Sequence, residues 1–418
     1  MTAAPHVLKP LPSAVTVFAV FALAYLLSAA LRSVNAVIAP ELVRDFSLSA
    51  SELGFLSAMY FLGFTATQWP LGHWLDRFGP RKVESILLCV AVLGCLVFAQ
   101  ASTFTELSIG RLLFGIGVSA CLMAPYTGFR HWFDPALNAR LSTWMLTTGS
   151  VGMIVSSAPV QWAVPVIGWR GVFWAALAAM LLAIALIWRY SPAVPKPQVS
   201  AASASNTALS QSYAAVFRHA YFRSMVPFLV LMYGGLLAVQ TLWVGPWLTQ
   251  VTGYSAAQAA WSILVVHAAM GSAFLAWGLA LPRLLSRGYT ASTLIRNLLP
   301  LGLALWALVI ALGAQAGAWA WVLWAVAFAG ISVTSMSQIT LSQYFVPQLA
   351  GRVNTAANLL IFGGAFALQW LVGVCIDAFG AAGLSRVASF QAAFALLLAL
   401  MAASYLWFIA RVPRMPKQ

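Results

Sequence analysis

Twelve runs of mostly apolar residues follow one another along this 418-residue chain, each near the length a helix needs to cross a bilayer. Crossing the hydrocarbon takes about 20 such residues. On that criterion the spans fall at 14–38, 52–72, 83–101, 105–127, 140–166, 171–189, 224–248, 258–281, 292–314, 318–345, 353–376 and 387–410. The run 140–166 is long enough to tilt or to include an interfacial turn. Lipid offers no hydrogen bonds, so each run must satisfy its own backbone and is expected to be helical. Only 7% of the residues are charged, against about 25% in a soluble domain, too few to cover a water-facing surface. The runs form two sets of six around residues 191–223, where Pro192, Pro195, Pro197 and an Ala/Ser/Asn-rich stretch predict a flexible linker. A short interfacial helix is expected near Tyr213–His219. The expected architecture is an all-α polytopic membrane protein: a six-helix bundle over 1–190, a linker over 191–223 and a second bundle over 224–418.

The net charge of +14 would suggest nucleic acid if it lay in one patch, but the basic residues are spread over loops. One side of the membrane collects Lys9, Arg77, Arg81, Lys82, Arg130, Arg140, Arg189, Lys196, Arg218, Arg223, Arg283, Arg287, Arg296, Arg352, Arg411, Arg414 and Lys417. The other has Arg44, Arg170 and Arg386, with Glu41, Asp45, Glu52, Glu106 and Asp377. By the positive-inside rule the basic side is cytoplasmic, with both termini and the linker. A multi-pass protein of the inner membrane, in contact with lipid, is expected, with no nucleic-acid partner. The N-terminus lacks an obvious small-residue cleavage site and reads as a retained first helix. Cys89, Cys95, Cys121 and Cys375 lie in apolar runs without paired spacing, which implies neither disulfides nor a thiolate metal site. A phosphate-binding G-x-x-x-x-G-K-[ST] loop is missing, and no set of catalytic side chains converges. Neither ATP hydrolysis nor other enzyme activity is expected, and no cofactor is implied.

The link between the second and third runs reads Gly72-His73-Trp74-Leu75-Asp76-Arg77-Phe78-Gly79-Pro80-Arg81-Lys82. Gly72 is expected to let two helices approach, Gly79-Pro80 to force a tight turn, and Arg77, Arg81 and Lys82 to meet an anionic leaflet. The stretch resembles the loop of the major facilitator superfamily, G-x-x-x-D-R-x-G-x-R-[KR], with Gly72, Asp76, Arg77, Gly79, Arg81 and Lys82 in every defined slot. Gly110-Arg111-Leu112-Leu113-Phe114-Gly115-Ile116-Gly117 resembles its fourth-helix pattern, and Gly168 to Trp174 its link between helices five and six. The equivalent loop of the second half keeps Gly278, Arg283, Arg287 and Gly288 without the Asp-Arg pair. Resemblance implies a secondary transporter working by alternating access, sufficient as a monomer, with Asp76 and its neighbours as a cytoplasmic latch. The fifth helix has Gly149, Gly152 and Pro159 but not the G-P-x-x-G-G core of the drug/proton antiporter branch.

An ionisable side chain deep in a bilayer is costly and marks function by default. The runs yield three, Arg32, Arg111 and His267, and no mid-depth Asp or Glu is expected. Tyr25, Ser28, Arg32, Asn35 and Ala39 share one helix face, a polar stripe that cannot face lipid. The segment Arg32 to Pro40 resembles first-helix segments of the organic-anion branch, where the Arg binds a substrate anion. A guanidinium suits bidentate contact with a carboxylate or phosphate. The competing reading has Arg32 snorkelling or paired with Glu41 or Asp45. For Arg111 the resemblance implies burial between helices one and four, held by backbone carbonyls, with a structural or proton-moving role. His267 would carry a coupling proton, rest as a neutral interhelical hydrogen-bonder, or join Met270 and Met232 in a soft-metal site. Gln240 and Trp243 on helix seven and Asn358 on helix eleven are further candidate substrate contacts; Ser335, Gln338 and Ser342 form a polar face on helix ten. The preferred substrate is a small organic anion, moved with protons or by exchange. The alternatives are an amphipathic-drug exporter and a copper importer.

Overall fold

The computed structural model describes residues 13–192, 213–345 and 349–412. Pro195 and Pro197, most of the expected linker and the side chain of Ser342 lie outside the described residues. Among those described, regular structure is helical throughout, and its helices are consistent with the twelve passes expected from the sequence. Eight stretches are long and apolar enough to span a membrane as single units. One of them, Ala291–Leu341, holds two passes bent at Gly313–Trp319. The second, fourth and fifth passes lie outside that set. The second is the helix Ala50–Phe78, which carries a charged end. The fourth is interrupted between Phe104–Gly117 and Met123–Trp132, and the fifth starts as Pro135–Val155 and turns at residues 156–157.

Helix starts follow local chemistry. Ser49 with Glu52, Thr103 with Glu106 and Ser255 with Gln258 form reciprocal capping boxes that satisfy otherwise orphaned N–H groups. All three stand at the end of the bundle opposite the basic loops, hereafter the far end, so two of its scarce acids serve as caps. At the basic end Gly79 adopts φ 79°, a conformation that side chains resist, and Pro80 opens the third pass, Pro80–Gln100. The tight turn expected there is present. Gly168, with φ 69°, separates the fifth pass from the sixth inside Ala158–Tyr190. Residues 213–218 form the short helix expected ahead of the seventh pass.

Within the first six passes the helices meet backbone to backbone, as membrane helices do when small residues line the contact. A Cβ on Gly115 would stand 1.9 Å from the Tyr60 carbonyl oxygen, and one on Gly152 would stand 2.3 Å from that of Leu26. The two sets of six join in the same way at the far end: Gly245 of the seventh pass lies on Ala36 of the first, and Gly373 of the eleventh lies on Ala50 of the second. Phe64 and Phe362 continue that seam with ring centroids 4.5 Å apart. Toward the basic end, positions Gly72 and Gly351 face open space. Gly72 therefore does not serve the close approach expected of it; on this helix Gly54 and Gly63 do.

Candidate functional site

The first pass is two helices, Ala14–Ser33 and Asn35–Phe46, joined at Val34. Arg32 lies at this joint. Its side chain is only partly buried, and the phenol oxygens of Tyr25 and Tyr60 face the guanidinium. Tyr233 approaches the same charge from the seventh pass, so groups from both halves converge on it. Gly149 of the fifth pass packs on the Tyr25 ring, and a Cβ there would stand 2.7 Å from it. The Arg32 Nε has no hydrogen-bond partner, and among the described residues no carboxylate lies within ion-pair distance of Arg32. The partners considered for it are engaged elsewhere or apart: Asp45 pairs with Arg44 at 3.1 Å and with Arg170 at 3.7 Å, and accepts from the Trp169 indole.

Arg111 is 1% exposed and donates to the Leu31 carbonyl at 2.8 Å. That carbonyl sits one turn before the joint in the first pass, where the regular ladder is interrupted. The guanidinium also stands 5.5 Å over the Tyr60 ring, which places Tyr60 between two arginines. His267, on the eighth pass Ala256–Ser286, is 2% exposed; its Nδ1 meets the Met153 carbonyl at 3.0 Å, and its Nε2 has no partner. Met270 and Met232 are buried. Among the described residues no group of three or more His, Cys, Asp or Glu side chains is placed to hold a metal.

Several expected contacts are turned to other work. Asn35 is fully buried and donates to Ser57 at 2.8 Å, tying the first pass to the second. Trp243 is fully buried, its indole N–H given to the Gln369 carbonyl. Gln240 is 3% exposed. Asn358 remains partly exposed and accepts from Gln338 at 3.2 Å. Of the six candidate contacts, Tyr25 and Arg32 come together; Asn35 and Trp243 are held by protein partners. At the basic end Asp76, Arg77 and Lys82 are exposed, while Arg81 hydrogen-bonds the Trp188 carbonyl and lies 4.4 Å over its ring.

One expectation fails outright. Glu84, in the third pass, is 0% exposed, so the interior does hold a carboxyl group. Its position one turn into an apolar run, just after Arg81 and Lys82, hides it in sequence among the loop charges. Tyr60 and Tyr233 were likewise not legible as neighbours of Arg32, because each reaches it from another pass.

The Major Facilitator Superfamily model matches residues 21–369. A 4-hydroxybenzoate transporter of Acinetobacter baylyi is 30% identical over 151 residues, 35% of this chain and 33% of that protein. A nitrate/nitrite transporter of Picosynechococcus is 35% identical over 97 residues, 23% of this chain and 18% of that protein. The chain thus spans a third or less of these curated relatives. The crystal structure of a D-xylose–proton symporter superposes with a TM-score of 0.77 at 16% identity, covering 96% of this chain and 98% of that one, a likeness of fold. With the family model spanning most of its length, the chain belongs to the Major Facilitator Superfamily.

Proposed function

We propose that this protein is a secondary transporter of a small organic anion, which it binds at Arg32 between the two halves and carries by alternating access. The observation that supports this best is an interior guanidinium, partly open, faced by phenols from three passes and lacking a protein carboxylate. Arg111 adds a second positive charge one ring away and is held by backbone alone. Two uncompensated cations favour an anion as the missing partner. The aromatic surroundings suit a flat carboxylate, and the named substrates of both curated relatives, 4-hydroxybenzoate and nitrate or nitrite, are anions. The positive-inside rule places the basic end in the cytoplasm, with both termini. The open space at Gly72 and Gly351 there is compatible with an inward-facing arrangement. Protons or a counter-anion drive the movement.

Thermal stabilisation of the purified protein tests the reading, because a ligand of the folded state raises the melting temperature with its concentration. The panel comprises aromatic and sugar-derived carboxylates, nitrate, cationic drugs and Cu(I). A carboxylate response that weakens at least about tenfold in Arg32→Lys and disappears in Arg32→Ala is expected, since a charge-assisted bidentate contact contributes about 1.5–3 kcal/mol. A response confined to drugs or Cu(I) and unchanged in both variants would move the site to the seventh and eighth passes.

A further inference from the structure

Among the described residues, Glu84 is a fully buried carboxyl group of the first six passes that no helix cap or ion pair uses. Neither of its oxygens meets an N–H or O–H donor. An apolar cluster lies alongside it, with Leu71 and Leu75 of the second pass, Val83 and Leu87 of the third, and Ala120 and Ala124 of the fourth. Arg81, one turn earlier on the same helix, is the natural i, i+3 partner, yet its guanidinium is turned onto Trp188. Lys82 is exposed, as are Asp76 and Arg77 on the second pass. On the sixth pass Arg189 lies over the Tyr190 ring. The one titratable group in reach is the buried thiol of Cys121, on the fourth pass. A bare carboxylate in such surroundings costs several kcal/mol.

Its neighbour is placed where the fourth pass loses its regular helix. Residues 118–122 are turns, not helix, between Phe104–Gly117 and Met123–Trp132, and Cys121 lies among them. The same thiol is also within electrostatic reach of Arg32. Just before the turns the third and fourth passes touch backbone to backbone: a Cβ on Gly117 would stand 2.2 Å from the Ala91 nitrogen. Cys121 in the turns thus lies within reach of both Glu84 and Arg32.

We propose that Glu84 is the proton-binding site of the transport cycle, with Cys121 as the positioning residue that links it to Arg32. The acid O–H of Glu84 breaks when movement of residues 118–122 admits water; the proton passes to that water and the carboxylate remains. Reprotonation restores the enclosed arrangement. One proton binds and leaves per cycle, and no other reactant is needed. The coupling part of this proposal rests on the anion-transport reading above; the protonation itself does not.

Infrared difference spectra of the full chain in lipid, recorded without substrate as pH is raised, read the protonation directly. The expected result is a carboxylic C=O band that is lost with rising pH in the wild type and absent from Glu84→Gln. Cys121→Ser, which exchanges one weak donor for a stronger one, should lower the frequency of that band. In vesicles loaded with the carboxylate selected by thermal stabilisation, Glu84→Gln should keep anion exchange but lose accumulation driven by a pH gradient. A titrating band unchanged in Glu84→Gln, or undiminished gradient-driven accumulation by that variant, overturns the proposal. Should Glu84→Gln not fold, a band unmoved in Cys121→Ser overturns it equally. Loss of carboxylate binding in Arg32→Ala alone leaves the band in place, so failure of the anion reading and failure of the Glu84 assignment give different results.

Discussion

The two ends of the second pass carry opposite arrangements of the same chemistry. At the far end the Asp377 carboxylate, from the eleventh pass, accepts from the Ala50 and Ser51 N–H groups at 3.1 and 2.7 Å, capping the second pass across the seam. At the basic end the second pass presents its own carboxylate, Asp76, exposed and unpaired within the last turn of the helix. A carboxylate is favoured at a helix N-terminus and disfavoured at a C-terminus. Asp377 has found the N-terminus of another helix; Asp76 sits at the wrong end of its own. The acid that bridges the halves is the one whose position the helix dipole rewards.

The largest effect on this asymmetry is expected from Gly245→Ala. The new methyl would stand 1.9 Å from the Ala36 carbonyl oxygen, so the far end must open or distort, at about 1–3 kcal/mol. Spin-label distances between the far ends of the halves should lengthen, and distances at the basic end should shorten. Asp377→Asn comes next: it keeps one acceptor but loses the charge, which should weaken the cap by about 1 kcal/mol and shift the same distances by a smaller population. An unchanged distribution would show that glycine packing alone joins the far end. Trp169→Phe removes the indole bond to Asp45 within the first half; it should lower thermal stability by about 1 kcal/mol without changing distances across the seam. Asp76→Asn should leave the stability of this conformation within about 0.5 kcal/mol of wild type, because the side chain is exposed and makes no ion pair among the described residues. It should still change the transport rate, measured in vesicles, if the latch operates in the opposite state.

Legibility followed the range of the interaction. The spans, the link at Gly79-Pro80 and the charge bias all arise from neighbours in sequence, and all could be read from it. The helix face holding Tyr25, Arg32 and Asn35 was equally readable, yet its members serve different ends. Arg32 meets phenols at the seam, while Asn35, less than one turn later, is fully buried against Ser57. Trp243 similarly looked like a cavity wall and is held by Gln369, 126 residues away in sequence.

By itself the sequence determined that this chain must be a bundle of membrane helices, which way its charges bias it, and which family motifs it carries. Those follow from lipid being unable to hydrogen-bond a backbone or solvate a charge. Only the tertiary structure decided which interior polar groups are satisfied by another helix and which are left open. It set Arg32 without a carboxylate and Glu84 without a cation. Periodicity places a side chain on a face of its own helix, but what stands opposite that face is chosen by the packing of the others.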